Sequence, residues 1–109
     1  MVTQATGLTQ AIDDFVRRLS ASLPVDVVIL FGSQATGGAT ENSDIDLAVI
    51  SPHFDGCSTW DRQEVIARAT VGRAYGIAPV GFGSIEYAKP ADSFLREIVR
   101  TGRVVYSKA

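Results

Sequence analysis

The sequence is poorest in basic residues where its apolar character is strongest. No Lys or Arg occurs between residues 19 and 61, so any acid in that span lacks a local cationic partner. Cysteine occurs once, as Cys57, which excludes an intrachain disulfide and makes the reducing cytoplasm the expected location. Histidine also occurs once, as His53, which leaves no His cluster for a metal. Long hydrophobic runs are missing. The run Val27 to Phe31 falls far short of the ~20 apolar residues that span a bilayer, so no membrane association is expected. The opening MVTQATGLTQ has neither a basic n-region nor an apolar h-region, and no signal peptide is expected. Excess positive charge is absent too: the formal charge is -2 and the pI about 5.2. A domain that grips nucleic acid through its backbone is usually basic, so no direct nucleic-acid binding is expected. A nucleotide ligand stays compatible, because a metal can supply the positive charge.

What is present suffices for one core. Of 109 residues, 46% are apolar, and a single domain over 1–109 is expected. Leu8, Ile12, Phe15, Val16, Leu19 and Leu23 recur at helical spacing until Pro24. Val25 to Phe31 is rich in β-branched residues and reads as a buried strand. Gly32 to Ser43 reads as a loop with room for one helical turn, and Ile45 to Ile50 as a second strand. A helix follows from Ser58, Thr59 or Asp61 to about Tyr75, with Asp61 and Glu64 at capping-box spacing and Gly76 ending it. Ile77 to Ile85 reads as a third strand, although Pro79, Gly81 and Gly83 weaken the pattern. Pro90 opens a last helix with Phe94, Leu95, Ile98 and Val99 on one face; Gly102 closes it and Arg103 to Tyr106 forms a closing strand. The expected fold class is mixed α/β: a small mixed sheet flanked by helices.

The chemistry concentrates in FGSQATGGATENSDIDLAVI, residues 31–50. Residues two apart on a strand share a face, roughly 6.5–7 Å apart at Cα, so Asp44 and Asp46 converge while Ile45, Leu47 and Val49 line the other side. Two neighbouring carboxylates must share a proton or take up a cation. Hard oxygen ligands of this kind suit Mg²⁺ or Mn²⁺, and Mg²⁺ commonly takes one or two carboxylates and completes its shell with water and phosphate. Gly32 and Ser33 directly follow a strand. There the backbone can approach a ligand, and N–H groups and a hydroxyl can hold phosphate oxygens. A strand, a phosphate-cradling turn and a metal pair form the layout phosphoryl transfer needs. The plain alternative is that Asp44 caps a turn beside Asn42 and Ser43, and that Asp46 pairs with a distant Arg.

Gly32-Ser33, ten residues, then Ser43-Asp44-Ile45-Asp46-Leu47 resembles the signature of the minimal nucleotidyltransferases of the DNA polymerase β superfamily. The preceding helix, Ala35, Gly37 and the closing GRVVY resemble the family as well, so the likeness covers nearly the whole chain. The resemblance implies the polymerase β type of nucleotidyltransferase fold. It implies an Mg²⁺-dependent enzyme that moves a nucleoside monophosphate, AMP from ATP, onto an acceptor hydroxyl. Gly32 and Ser33 are then nucleotide-binding, and Asp44 and Asp46 are catalytic metal ligands. Small prokaryotic members often pair with a helical HEPN-type partner in toxin–antitoxin systems, where some adenylylate a tyrosine of that partner.

Two positions depart from the family pattern. Gln34 stands where Arg often follows Gly-Ser. The third carboxylate, carried by the family on its third strand, has its expected place at Gly81, with Glu86 as the nearest acid and on the opposite face by simple alternation. General-base help is typically worth ~10²–10⁴ in rate, so its loss would favour an alternative: a catalytically degenerate module acting as antitoxin or partner-binding protein. A third expectation is a subunit that acts only with a partner. Among the other residues, His53 reads as a loop residue, Cys57 as a loop or core thiol, Trp60 as a packed ring, and Arg96, Arg100 and Arg103 as a solvated face.

Overall fold

The computed structural model describes residues 2–37, 44–69 and 76–108. In chain order these form α1 (Val2–Ser20), β1 (Val27–Phe31), α2 (Ser33–Thr36), β2 (Ile45–Ser51), a 3₁₀ turn (Pro52–Phe54), α3 (Thr59–Ala69), β3 (Ile77–Gly83), α4 (Ser84–Ala88), α5 (Ser93–Thr101) and β4 (Arg103–Ser107). The four strands make one mixed sheet in the order β3-β2-β1-β4. β1 runs antiparallel to β2 and β4, while β2 and β3 are parallel, joined through the segment that contains α3.

The period of two along β2 sorts the core into two layers. Ile45, Leu47 and Val49 join Val28 and Leu30 beneath Ile12, Phe15, Val16 and Leu19 of α1 and Ile66 of α3. Ala48 and Ile50 point the other way and, with Ile29 and Phe82, meet Leu95 and Ile98 of α5. β2 is thus covered on both faces, which explains its nearly continuous apolar sequence. No helix among the described residues is long and apolar enough to cross a membrane.

β3 is an edge strand, and α3 protects it. Gln63 Nε2 donates to the Pro79 carbonyl at 3.1 Å and Arg62 Nη1 to the Gly81 carbonyl at 3.2 Å. Pro79 itself offers no N–H for a further strand. Arg62 also donates from Nε to the Cys57 carbonyl at 2.9 Å and pairs with Glu86 at 2.7 Å, its side chain only 12% exposed. One guanidinium therefore ties α3, β3 and α4 together. Arg62→Ala leaves two carbonyls and a carboxylate without this partner and is expected to cost about 2–3 kcal/mol. That corresponds to a fall of roughly 10–20 °C in Tm for a chain of this size, measurable by thermal unfolding.

Several boundaries differ from the sequence reading. The first helix ends at Ser20, before Leu23 and Pro24, and the first strand begins at Val27. The third strand stops at Gly83, and Ser84–Ala88 turns into α4. The cause is local: Glu86 reaches back to accept from the Gly83 N–H at 2.6 Å, and the Asp55 carboxylate accepts from the Ile85 N–H at 3.1 Å. The cap of α3 is Ser58, whose Oγ accepts from the Asp61 N–H at 3.1 Å, in place of an Asp61–Glu64 box. Trp60, expected to pack, is 81% exposed. The expected tail of the helix toward Tyr75, residues 70–75, and residues 38–43 of the expected loop lie outside the described residues.

Candidate functional site

Antiparallel pairing brings the end of β1 and the start of β2 together at one end of the sheet. Phe31 is the register partner of Asp46, so the Gly32-Ser33 turn and the Asp44/Asp46 pair stand side by side. Gly32 has φ 73°, which favours glycine strongly, and it caps the single turn of α2. A Cβ at this position would collide with the Asp46 carboxylate. The glycine therefore lets the chain turn and leaves the space Asp46 occupies. Ser33, half-buried, starts α2, and Gly37 closes it with φ 88° as its N–H donates to the Ser33 carbonyl at 3.1 Å. The first N–H groups of a helical turn point out of its N-terminus. The Gln34 side chain and Ser43 lie outside the described residues.

Asp44 is exposed and Asp46 partly buried. Burial pushes the Asp46 carboxyl above the ordinary carboxylate range, and the negative charge of Asp44 pushes it further. Among the described residues neither acid has an ion-pair partner, so the alternative that Asp46 pairs with a distant Arg finds no support there. An excess of negative charge on oxygen ligands fits a hard divalent cation. Among the described residues no group of three His, Cys, Asp or Glu side chains clusters for a metal, so the pair would depend on water and substrate oxygens for the rest of a shell.

The register of β3 corrects the position of the missing acid. Asp46 pairs with Ala78, while Gly81 pairs with Val49 on the other face. A Cβ on Gly81 would meet Phe54 at 2.9 Å and Arg62 at 3.4 Å, well away from the carboxylates. The position beside Asp46 is therefore Ala78, and it too carries no acid. Glu86 offers no substitute. It follows Gly83, which lies roughly 16 Å along the strand from Ala78 at ~3.3 Å per residue. Its carboxylate is also engaged by Arg62 and the Gly83 N–H. His53 sits in the 3₁₀ turn after β2, at the far end of that strand from Asp44. Cys57 is partly buried and its thiol donates to the His53 carbonyl at 3.2 Å. Arg96 donates to the Ala91 carbonyl and Arg100 pairs with Glu97, which keeps both on the outer surface of α5.

Sequence reasoning did not find what flanks the pair. Phe31 shares the face of Asp46 and meets Phe94 of α5 edge-on at 5.8 Å between ring centres. Phe94 also leans on Phe82 at 6.1 Å and remains 49% exposed. The helical spacing of the last helix showed an apolar face, but nothing local told which strand residues it would meet.

The family model described as "Polymerase beta, Nucleotidyltransferase" matches residues 14–109. Among solved structures, a proposed nucleotidyltransferase from Sulfolobus solfataricus superposes with a TM-score of 0.72 at 19% identity, over 92% of this chain and 80% of that one. A toxin–antitoxin structure with AMP-PNP gives a TM-score of 0.57 at 22% identity, over 87% of this chain and 72% of that one. A mutant of the toxin–antitoxin MntA-HpeT gives 0.56 at 20% identity over the same shares, 87% and 72%. Among curated proteins none matches the sequence.

Proposed function

Because the chain belongs to the polymerase β type of nucleotidyltransferases, we propose that it transfers a nucleoside monophosphate, AMP from ATP, to an acceptor hydroxyl. The observation that carries this reading is the convergence of Gly32-Ser33 with two acids that lack a basic partner among the described residues. Ser33 and the N–H groups at the start of α2 would hold the β- and γ-phosphates. Asp44 and Asp46 would hold Mg²⁺. The cation, when bound, would neutralise the charge that develops on the phosphate oxygens. The acceptor oxygen bonds to the α-phosphorus, the bond to the β-phosphate oxygen breaks, and pyrophosphate leaves. The described residues provide no carboxylate on β3 to take the hydroxyl proton, so that proton would pass to solvent or to a group supplied by a partner.

The toxin–antitoxin neighbours favour a protein acceptor, and a tyrosine of a helical HEPN-type partner is the acceptor we propose. A second reading has its own support in Ala78. With no acid beside Asp46, the chain would bind metal and nucleotide but turn over slowly, and act chiefly as an antitoxin or partner-binding module. Cytoplasmic location and a single domain over 1–109 belong to both readings.

The test is a Mn²⁺ titration followed by amide NMR line broadening, with and without ATP. Broadening centred on Ser33, Asp44 and Asp46 and strengthened by ATP is expected. Broadening spread over surface acids, unchanged by ATP, would remove the nucleotide site. Transfer that appears only when a co-purified partner is added would then decide between the two readings.

A further inference from the structure

The sheet end that carries the two acids is open on the side of β3. Ala78 is the register partner of Asp46, and such partners present Cβ atoms on the same face. Neighbouring strands lie about 4.8 Å apart, close enough for side chains at the two positions to share one cation. Both residues are partly exposed. The apolar layer under α5 takes in Val80, two residues further along β3, but among the described residues Ala78 packs on neither apolar layer. β3 is also an edge strand, so a group from outside reaches Ala78 without crossing another strand. The chain's own donors fall short here. Among the described residues no third acid joins Asp44 and Asp46, and Glu86 is held by Arg62 and the Gly83 N–H.

We propose that Ala78 leaves the metal site open to a carboxylate from outside the chain, an Asp or Glu side chain of a partner protein bound at the β3 edge. The inference rests on the nucleotidyltransferase reading above and on the protein partner it includes. Its chemistry follows from the cation. Mg²⁺ and Mn²⁺ take oxygen donors, and two carboxylates leave the remaining positions to water and phosphate. A third charged oxygen donor beside Asp46 tightens such a site. An ammonium or guanidinium group there would instead repel the cation. Alanine supplies no donor and little bulk, so it keeps the position accessible, and a longer apolar side chain would close it. Gly81 does not have this role. A side chain there meets Phe54, on the face away from Asp46.

The experiment measures Mn²⁺ affinity of the full chain by electron paramagnetic resonance of free Mn²⁺ in the presence of ATP. Formate is the outside carboxylate, with chloride at equal ionic strength as the control. Wild type, Ala78→Asp, Ala78→Leu and Gly81→Asp are compared, and circular dichroism checks the fold of each. Formate is expected to tighten Mn²⁺ binding to wild type severalfold, which tests the site without any substitution. Ala78→Asp should bind Mn²⁺ about 10- to 100-fold more tightly than wild type and gain nothing from formate. Ala78→Leu should lose the formate response, and Gly81→Asp should gain no affinity. Without metal, Ala78→Asp should unfold at a lower temperature than wild type, because neighbouring carboxylates repel, and Mn²⁺ should reverse that order. No formate response in wild type, a response that survives in Ala78→Leu, or a folded Ala78→Asp with wild-type affinity overturns the proposal. Wild-type affinity should not depend on protein concentration; a rise would move the carboxylate to a second copy of this chain and overturn the partner assignment. If Mn²⁺ binds neither wild type nor Ala78→Asp, with or without ATP, the nucleotidyltransferase reading itself falls.

Discussion

Asp44→Asn/Asp46→Asn is expected to lose Mg²⁺-nucleotide binding by more than about 100-fold, and yet to unfold at a slightly higher temperature than the parent. The first effect follows from removing both charged ligands. Even a partner that only supports a metal ligand typically costs 10–100-fold when removed. The second follows from the Asp46 carboxyl, which burial and then Asp44 hold above its ordinary range. The folded chain therefore keeps the Asp46 proton to higher pH than the unfolded chain. As pH rises from the ordinary carboxylate range through the raised one, the folded state binds more protons, and stability falls. Above that window the full cost is present, and Asn removes it. The gain at neutral pH should stay below about 1 kcal/mol, because the site is partly exposed and screened. Added Mg²⁺ with ATP should raise the unfolding temperature of the parent and not of the variant. Thermal unfolding with and without Mg²⁺-ATP at neutral pH reads all of these at once. A variant that still binds, or that is less stable without metal, contradicts the assignment.

That trade of stability for charge explains why so much of the site could be read from sequence. The apolar run before Gly32 and the alternation from Asp44 to Val49 each obey one period, and they agree with the observed strands. The two-residue spacing alone put Ile45, Leu47 and Val49 on one face, as the core shows, and Asp46 on the other. The third strand was less legible. Its small residues, Ala78, Gly81 and Gly83, mark no face, and a shift that changes parity exchanges one face for the other. Only the pairing of Asp46 with Ala78 reveals which position flanks the site. Gly81 is small for a different reason, the ring of Phe54 against it. Helix α4 was hidden because its start depends on Glu86 and Asp55 side chains reaching backbone N–H groups, and no apolar period announces that. The Phe31–Phe94 contact joins a strand near the start of the chain to a helix near its end, and local pattern does not carry such pairings.

Gly32→Ala should damage the site with both acids in place. Two costs act together. Alanine at φ 73° is strained by roughly 1–2 kcal/mol, and its Cβ needs the space of the Asp46 carboxylate. Asp46 is a β2 residue paired with Phe31 and Ala78, so its backbone has little freedom to yield. The carboxylate must rotate instead, away from Asp44 or out of the turn. We expect Mg²⁺-nucleotide affinity to drop about 10- to 100-fold, with stability lower by roughly 1–3 kcal/mol. Gly37→Ala provides the comparison that separates the two costs. Gly37 has φ 88° and so carries the same kind of strain, but a Cβ there meets nothing within 4 Å among the described residues. It should lose a similar amount of stability with affinity nearly unchanged. If both variants lose affinity equally, strain in the turn governs binding, and close contact between Gly32 and Asp46 is incidental. If only Gly32→Ala does, the glycine is there to make room for a metal ligand, and the two halves of the motif act as one unit across β1 and β2.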